Sequence, residues 1–423
     1  MVIWLKSVLG LILVRISYGL YIVSLKYSLL RVFERTWRFL INVMGLSYYP
    51  IESFDTYSAK YNCCERELLK EDRLGVSVYS IQPDDESQEV LRTRLWSLYS
   101  SLYKDVQISG DSDIIVDLNH KCIISDYCYN MNKNVVFIDG LLYRNLNNIG
   151  LLRSNFKGTL TDIEAGIMIS GKFSRNYYHE MYENLNRLLL LQYTSIPQDV
   201  PLLMDEIVDK IPSFKKMAEI LANDCKRPIV YLKPNRIYSC KSLYYLDHIN
   251  DIVPHPKDYR NGYVPSYYDP LFIEIQRTLL LRYRTQISTP KRIFITRSNR
   301  SLRKFNEDEI FNVLARYGFE KVVPEMFSFE EQMTLFNNAE WIIGCSGAAF
   351  SNLLFCNEKC KALAFRAVRG VTGTPVFSTI AWICKMSYWH YEPDYIKKNK
   401  GIHSDFYVDP ERFENMLVKL LAS

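Results

Sequence analysis

Residues 291–365 read KRIFITRSNRSLRKFNEDEIFNVLARYGFEKVVPEMFSFEEQMTLFNNAEWIIGCSGAAFSNLLFCNEKCKALAF, and their pattern decides the fold class. KRIFIT (291–296), EKVVPE (320–325), EWIIGC (340–345) and KALAF (361–365) are short apolar runs bounded by charged or small residues, as strands are. Asn306-Glu-Asp-Glu places three acids in the first turn of a helix, where the dipole favours them, and Gly318 supplies its C′ residue. Ser328 and Glu331 form the capping box that opens FEEQMTLFNNA. Gly347-Ala-Ala starts a further helix. Strands and helices alternating at this spacing predict an α/β fold with a parallel, doubly wound sheet.

In such a sheet, ligands sit beyond the carboxyl ends of the strands. The first strand end leads into Arg297, Arg300, Arg303 and Lys304; from Lys291 to Lys304 there are six cations and no acid. The third leads into Ser346-Gly347-Ala348-Ala349, a small-residue turn feeding a helix N-terminus. Guanidinium forks plus outward-pointing amides suit a diphosphate. Alone, the cations could be a solvated loop and the small residues a tight turn; their common placement points to a binding site.

Upstream, DIIVDL, KCIIS, NVVFIDG and EAGIMIS are β-rich runs from residue 113 onward, whereas 51–112 carry few sharp signals. A helical pattern opens near Asn176 and runs to about Gln192, followed by strand patterns in DVPLLMDEIV and RPIVYLK. Residues 252–270 hold Pro254, Pro256, Pro265 and Pro270 and read as the interdomain connector. On the 176–192 helix, His179, Glu183 and Arg187 are spaced i, i+4, i+8 and share a face. A histidine beside a carboxylate suits a general base for a sugar hydroxyl. A structural or surface histidine is the competing reading, and a His/Glu metal pair lacks a third ligand. Asp111-Ser-Asp113 has the DxD form used by metal-dependent transferases, but it precedes a strand and reads more simply as a turn or cap.

At the N-terminus, residues 2–25 are apolar but interrupted by Lys6 and Arg15, which makes a spanning helix a marginal alternative, and no small-residue cleavage site follows to suit a signal peptide. In the next segment Arg31, Arg35, Arg38 and Asn42 form one helical face, with Leu29, Phe33, Trp37 and Leu40 over much of the rest. A basic stripe opposite an apolar surface predicts attachment to a membrane surface through residues 1–45. The same helices packed on the protein, or on a second copy of it in a homo-oligomer, are the alternative.

The net charge of +5, with no block of basic and aromatic residues, argues against a nucleic-acid partner. The 10 Cys form no CxxC pair and several lie in apolar runs, so a reduced compartment is favoured over a disulfide framework.

Two blocks resemble glycosyltransferase family 61, a group that includes capsular-polysaccharide proteins. NYYHExxExxxRL at 176–188 is similar to that family's NYxHWxxDxxPRL, and FSFEEQMTLFNNAEWIIGCSGAAFSNLLF (327–355) to its SFxEQxxLFxxAxxIIGxHGAxxxNLLF. The resemblance covers about 165–370 and implies a GT-B fold, with two Rossmann-like domains facing a cleft. It also implies inverting transfer of a hexosyl or pentosyl unit from a nucleotide sugar, usually UDP-linked, to a glycan or glycoconjugate hydroxyl, with no obligatory metal or other cofactor. Carried over, it places Asn176, His179 and Arg187 in the cleft, and Arg297, Arg303, Glu331, Gln332, Gly347, Ala348 and Asn352 around the donor; the backbone amides of the 346–348 turn add Ser346. His179 or Glu183 would be the base. The chain departs from the family at Ser346 (His there), Glu180 (Trp), Glu183 (Asp) and Asn186 (Pro). The expected layout is membrane-associating helices at 1–50, an acceptor-side α/β domain at 51–264, and a nucleotide-sugar domain at 265–423. The expected place is peripheral, on the cytoplasmic face of a membrane. Two alternatives compete: an inactive scaffold of polysaccharide assembly, for which Ser346 speaks, and a metal-dependent GT-A transferase using Asp111 and Asp113.

Overall fold

The computed structural model describes residues 46–61, 65–85, 87–125, 142–145, 149–153, 161–222, 226–234, 236–250, 266–296, 303–367, 375–397 and 404–422. The expected N-terminal helices, the NVVFIDG strand, most of the Pro-rich connector, and Arg297 lie outside the described residues.

In the first half the chain runs through β1 (Leu46–Glu52), α1 (Phe54–Tyr61), β2 (Glu65–Lys70), β3 (Arg73–Val78), β4 (Val90–Leu95), β5 (Leu98–Ser109), β6 (Ile115–Asp117), β7 (Cys122–Ile124), β8 (Leu142–Asn145), β9 (Ile149–Arg153) and β10 (Thr161–Met168). A helical segment at 177–193 follows, then β11 (Leu202–Asp205), α2 (Glu206–Lys210), α3 (Pro212–Leu221), β12 (Ile229–Leu232) and β13 (Ile237–Leu246). Most of these strands join one sheet, ordered β12-β11-β10-β13-β5-β6-β7-β1-β9-β8, with β2 also on β5.

Only part of this sheet matches the expected Rossmann-like layer. From β12 to β13 neighbouring strands are parallel, but β13 meets β5 antiparallel and β5-β6-β7 is an antiparallel meander. Short turns can join antiparallel strands, whereas parallel ones need a long crossover, and the few residues between β5, β6 and β7 allow only the former.

The second half contains α4 (Pro270–Leu281), β14 (Arg292–Ile295), α5 (Glu307–Ala315), β15 (Glu320–Val322), α6 (Phe329–Asn338), β16 (Trp341–Cys345), a 3-10 helix at Ala348–Phe355, β17 (Lys361–Phe365), α7 (Val376–Ile383), β18 (Ser387–Tyr391) and α8 (Pro410–Ala422). The second sheet is wholly parallel, in the order β15-β14-β16-β17-β18. The chain thus winds outward from β14 in both directions, leaving a crevice beyond the ends of β14 and β16. Side chains alternate with period two. Ile293, Ile295, Ile342, Ala362 and Ala364 enter the core shared with the first half. Phe294, Ile343, Leu363 and Phe365 pack on the other face, under α5 and α8. Both faces are covered, as a parallel sheet requires.

The shared core also holds Met181, Leu185, Leu189, Phe214 and Met217, so the two halves meet through packed apolar side chains. The β3–β4 hairpin, early in the chain, is fastened to the second half. Val76 exchanges backbone hydrogen bonds with Tyr268, and Val78 N–H donates to Thr379 Oγ1 at 2.8 Å. A buried Arg73–Asp269 ion pair, 2.9 Å long, holds its base.

Candidate functional site

A cavity of about 920 Å³ opens between the two halves, at the crevice beside β14 and β16. One wall comes from the first half: Asp111, Phe173, Arg175, Asn176, Tyr177 and His179, with Phe214 of α3 beside them. The facing wall is built by Ile295 and Thr296 at the end of β14, Cys345 at the end of β16, and Gly347, Ala348, Ala349 and Asn352 beyond it. Residues 324–329 and Gln332 close a third side.

The 177–193 segment is continuous but not one α-helix. It is α over Tyr177–His179, π over Glu180–Asn184 and 3-10 over Leu185–Tyr193, and the Asn176 side chain caps it by accepting from Tyr178 N–H at 3.0 Å. The i, i+4 pair is retained: His179 Nδ1 lies 2.8 Å from Glu183 Oε2. The changes of pitch break the expected i+8 alignment. Arg187 is fully buried and donates to the carbonyls of Met168, Ser170 and Leu246 at 2.9, 3.1 and 3.2 Å. It therefore ties the segment to the ends of β10 and β13 and does not reach the cleft, a correction to the shared-face reading. π-turns of this kind concentrate at functional sites, because the extra residue re-aims side chains.

His179 is the group that meets the cavity; Glu183 stands behind it, its side chain 6% exposed. A carboxylate on Nδ1 favours the tautomer in which Nε2 is the nitrogen able to accept a proton. Glu183 Oε1 is buried with no hydrogen-bond partner. A buried oxygen left unpaired costs stability.

Beneath this wall lies a buried acidic network. Asp205, at the end of β11, accepts from Ser170 Oγ at 2.6 Å, from Gly171 N–H at 3.2 Å and from Asp111 N–H. Burial pushes its carboxyl up to about 6 despite these donors. Burial likewise pushes Glu180 well above the usual carboxylate range, with Asp205 adding to it, although Asn184 Nδ2 donates to it at 2.8 Å. Gly171 is required here, since a Cβ would stand 2.0 Å from Asn184 Oδ1.

On the facing wall the expected donor residues divide. Gly347 and Ala348 line the cavity at the start of the 3-10 helix, whose first amides have no intrahelical partner. Ser346 N–H is not available to a phosphate, because it donates to Phe365 O at 2.9 Å. Arg303 donates to the Ser346 carbonyl, so this described cation does converge on the small-residue turn. Glu331 does not line the cavity: its carboxylate accepts from Ser328 N–H at 2.8 Å, completing the capping box of α6. Gln332 and Asn352 line the cavity but are engaged with each other. Tyr177 OH donates to Asn352 Oδ1 (2.6 Å), Asn352 Nδ2 to Gln332 Oε1 (3.1 Å), and Gln332 Nε2 to Phe327 O (3.1 Å). This relay braces the helical segment of the first half against the second.

The DxD pair does not converge. Asp111 lines the cavity and accepts from Ser174 Oγ at 3.1 Å, while Asp113 is buried, 3.5 Å from Lys172 Nζ. Only one of the two carboxylates meets the cavity and each has its own partner, against the GT-A alternative.

Residues 177–363 match the family model described as Glycosyltransferase 61. The match spans somewhat under half of the chain and supports a glycosyltransferase of family 61. No curated protein sequence matches the chain. Among solved structures, the dodecameric iron-containing heptosyltransferase TibC, in complex with ADP-D-β-D-heptose, is similar at 9% identity and a TM-score of 0.30, over 89% of this chain and 96% of that one.

The matched segment of the glycosyltransferase contains His179, Glu183, Gly347 and Asn352 but stops short of Asp111, Phe173 and Arg175. Those three, and the loop 324–328, are cavity residues that sequence reasoning missed or read otherwise. The strand-end rule, applied to EKVV as it was to KRIFIT, would have found the loop.

Proposed function

We propose that this glycosyltransferase transfers a sugar from a nucleotide sugar, UDP-linked by the family resemblance, to a glycan hydroxyl in one inverting displacement. The reading rests on one observation: the His179–Glu183 pair faces the Gly347–Ala349 turn across a single cavity. His179 Nε2 takes the acceptor proton, with Glu183 orienting the ring and stabilising the imidazolium that forms. The leaving diphosphate lies over the amide end of the Ala348–Phe355 helix, with Arg303 and the neighbouring cations offsetting its growing charge. No cofactor enters the scheme.

A GT-B arrangement, with an acceptor-side half at 51–264 and a donor-side half at 265–423, belongs to the same proposal and is supported by the parallel sheet and its cleft. So does peripheral attachment to the cytoplasmic face of a membrane through residues 1–45, for which Arg31, Arg35 and Arg38 speak. Among the described residues, no helix is long and apolar enough to cross a membrane.

The test is a panel of nucleoside-diphosphate sugars with methyl glycosides as acceptors. One donor should be turned over with inversion of the anomeric centre seen by NMR, and His179→Ala should slow it at least ~100-fold. Wild-type rates in that variant would remove the assigned base. Binding of a donor without turnover, in the intact chain, would favour the scaffold alternative.

A further inference from the structure

Two residues of the first-half wall hold a backbone conformation that side chains avoid. Asp111 has φ 56° and Phe173 has φ 58°, and both line the cavity. For a bulky residue such as Phe this region is a genuine outlier, costing on the order of 1–3 kcal/mol. The surroundings enforce it. Asp205 takes the Asp111 amide, and the same carboxylate grips Ser170 and Gly171, two residues before Phe173. Ser174 Oγ then bonds Asp111 Oδ1 at 3.1 Å. Phe173 lies against His179, ring centroids 4.9 Å apart, yet remains 44% exposed. Asp111, bonded to Ser174, and His179, against Phe173, are thus linked through residues 173–174 at one cavity. Asp111 Oδ2 accepts no hydrogen bond from a described residue.

Resting on the transferase reading above, we infer that Asp111 and Phe173 form the acceptor-sugar subsite, the ring supporting the sugar's C–H face and Asp111 accepting from a second hydroxyl of that sugar. One hydroxyl is delivered to His179 while its ring neighbour is held by a carboxylate. The preferred acceptor is a neutral saccharide with a free hydroxyl flanking the one attacked. Both residues precede the segment that matches the family. Asp205 is a positioning residue, acting only through the turn it gathers.

The experiment is steady-state kinetics of the full chain with the donor and methyl glycoside found by the panel. Asp111→Asn tolerates the positive φ and keeps the Ser174 bond; it should raise acceptor KM about tenfold, the worth of one charge-assisted hydrogen bond. Donor KM should stay within about twofold. Phe173→Gly relieves the backbone and removes the platform, so it should raise acceptor KM without lowering Tm, whereas a merely structural phenylalanine would lower Tm. In wild type, a monodeoxy acceptor lacking the flanking hydroxyl should match the Asp111→Asn loss, and the two losses should not add. Unchanged acceptor KM in both variants, or a loss confined to donor KM, overturns the inference while leaving the transferase reading intact. Absence of any turnover by wild type is the failure of that reading instead.

Discussion

Replacing Glu183 by Gln isolates the electrostatic contribution of the carboxylate behind His179. The contact is 2.8 Å long and the Glu183 side chain is 6% exposed, so water screens it little. A hydrogen bond to a charged group contributes about 1.5–3 kcal/mol, and more of it is felt once the ring takes a proton than before. At 1.36 kcal/mol per decade, kcat should fall between about tenfold and about 150-fold, with KM for donor and acceptor within about threefold. Stability should move the other way or not at all, because Oε1 is already buried without a partner and an amide carries no charge to desolvate. The measurement is kcat and KM alongside thermal unfolding, for Glu183→Gln, His179→Ala and the double variant. Groups acting as one unit are not additive, so the double variant should be no slower than His179→Ala. A kcat within threefold of wild type in Glu183→Gln, or full additivity in the double variant, would refute the pairing.

Two other outcomes follow from single positions. Gly344 of β16 lies so close to β14 that a Cβ would meet Ile295 O at 2.9 Å and Ile295 Cβ at 3.0 Å. Gly344→Ala should push the strands apart under the crevice, costing about 1–3 kcal/mol by calorimetry and raising donor KM; an unchanged Tm would show that the strands yield freely. His248 is pushed down to about 3, chiefly by burial and then by Arg187 and Lys172, while Asp113 and the Glu183 carbonyl act the other way. A depressed histidine contributes stability above its unfolded pKa of about 6.5 that is lost as pH falls. Between pH 7 and pH 5 that loss is roughly 2 kcal/mol, so urea unfolding of His248→Gln should show a pH dependence flatter by about this amount than wild type. Parallel curves would mean that the ring takes up its proton in the folded state much as it does in the unfolded one.

The parallel sheet was readable because β14, β16 and β17 are short and apolar and helix-start signals lie between the strands. The Ser328–Glu331 box is present in the structure as the pattern requires. β18 was not anticipated: SYWHY mixes aromatic and polar residues, and it is a strand because β17 offers it an edge. β5 was missed for a related reason. LYSSLYKDVQIS carries polar residues at positions that the sheet buries, among them Ser100 and Ser101. It is held by long pairing to β13, whose partners lie some 140 residues away in sequence.

The sequence by itself determined the parallel sheet of the second half, since capping, strand apolarity and turn chemistry are local properties written within a few residues of one another. It also singled out His179 and Glu183, because a four-residue spacing survives a change of helical pitch. Only the tertiary structure decided that Arg187 turns inward, that Glu331 serves its own helix, and that Asp111 faces the cavity while Asp113 does not. Each of those outcomes depends on where a buried polar group finds partners, and the partners come from strands far apart in the chain. Local pattern carries no record of them.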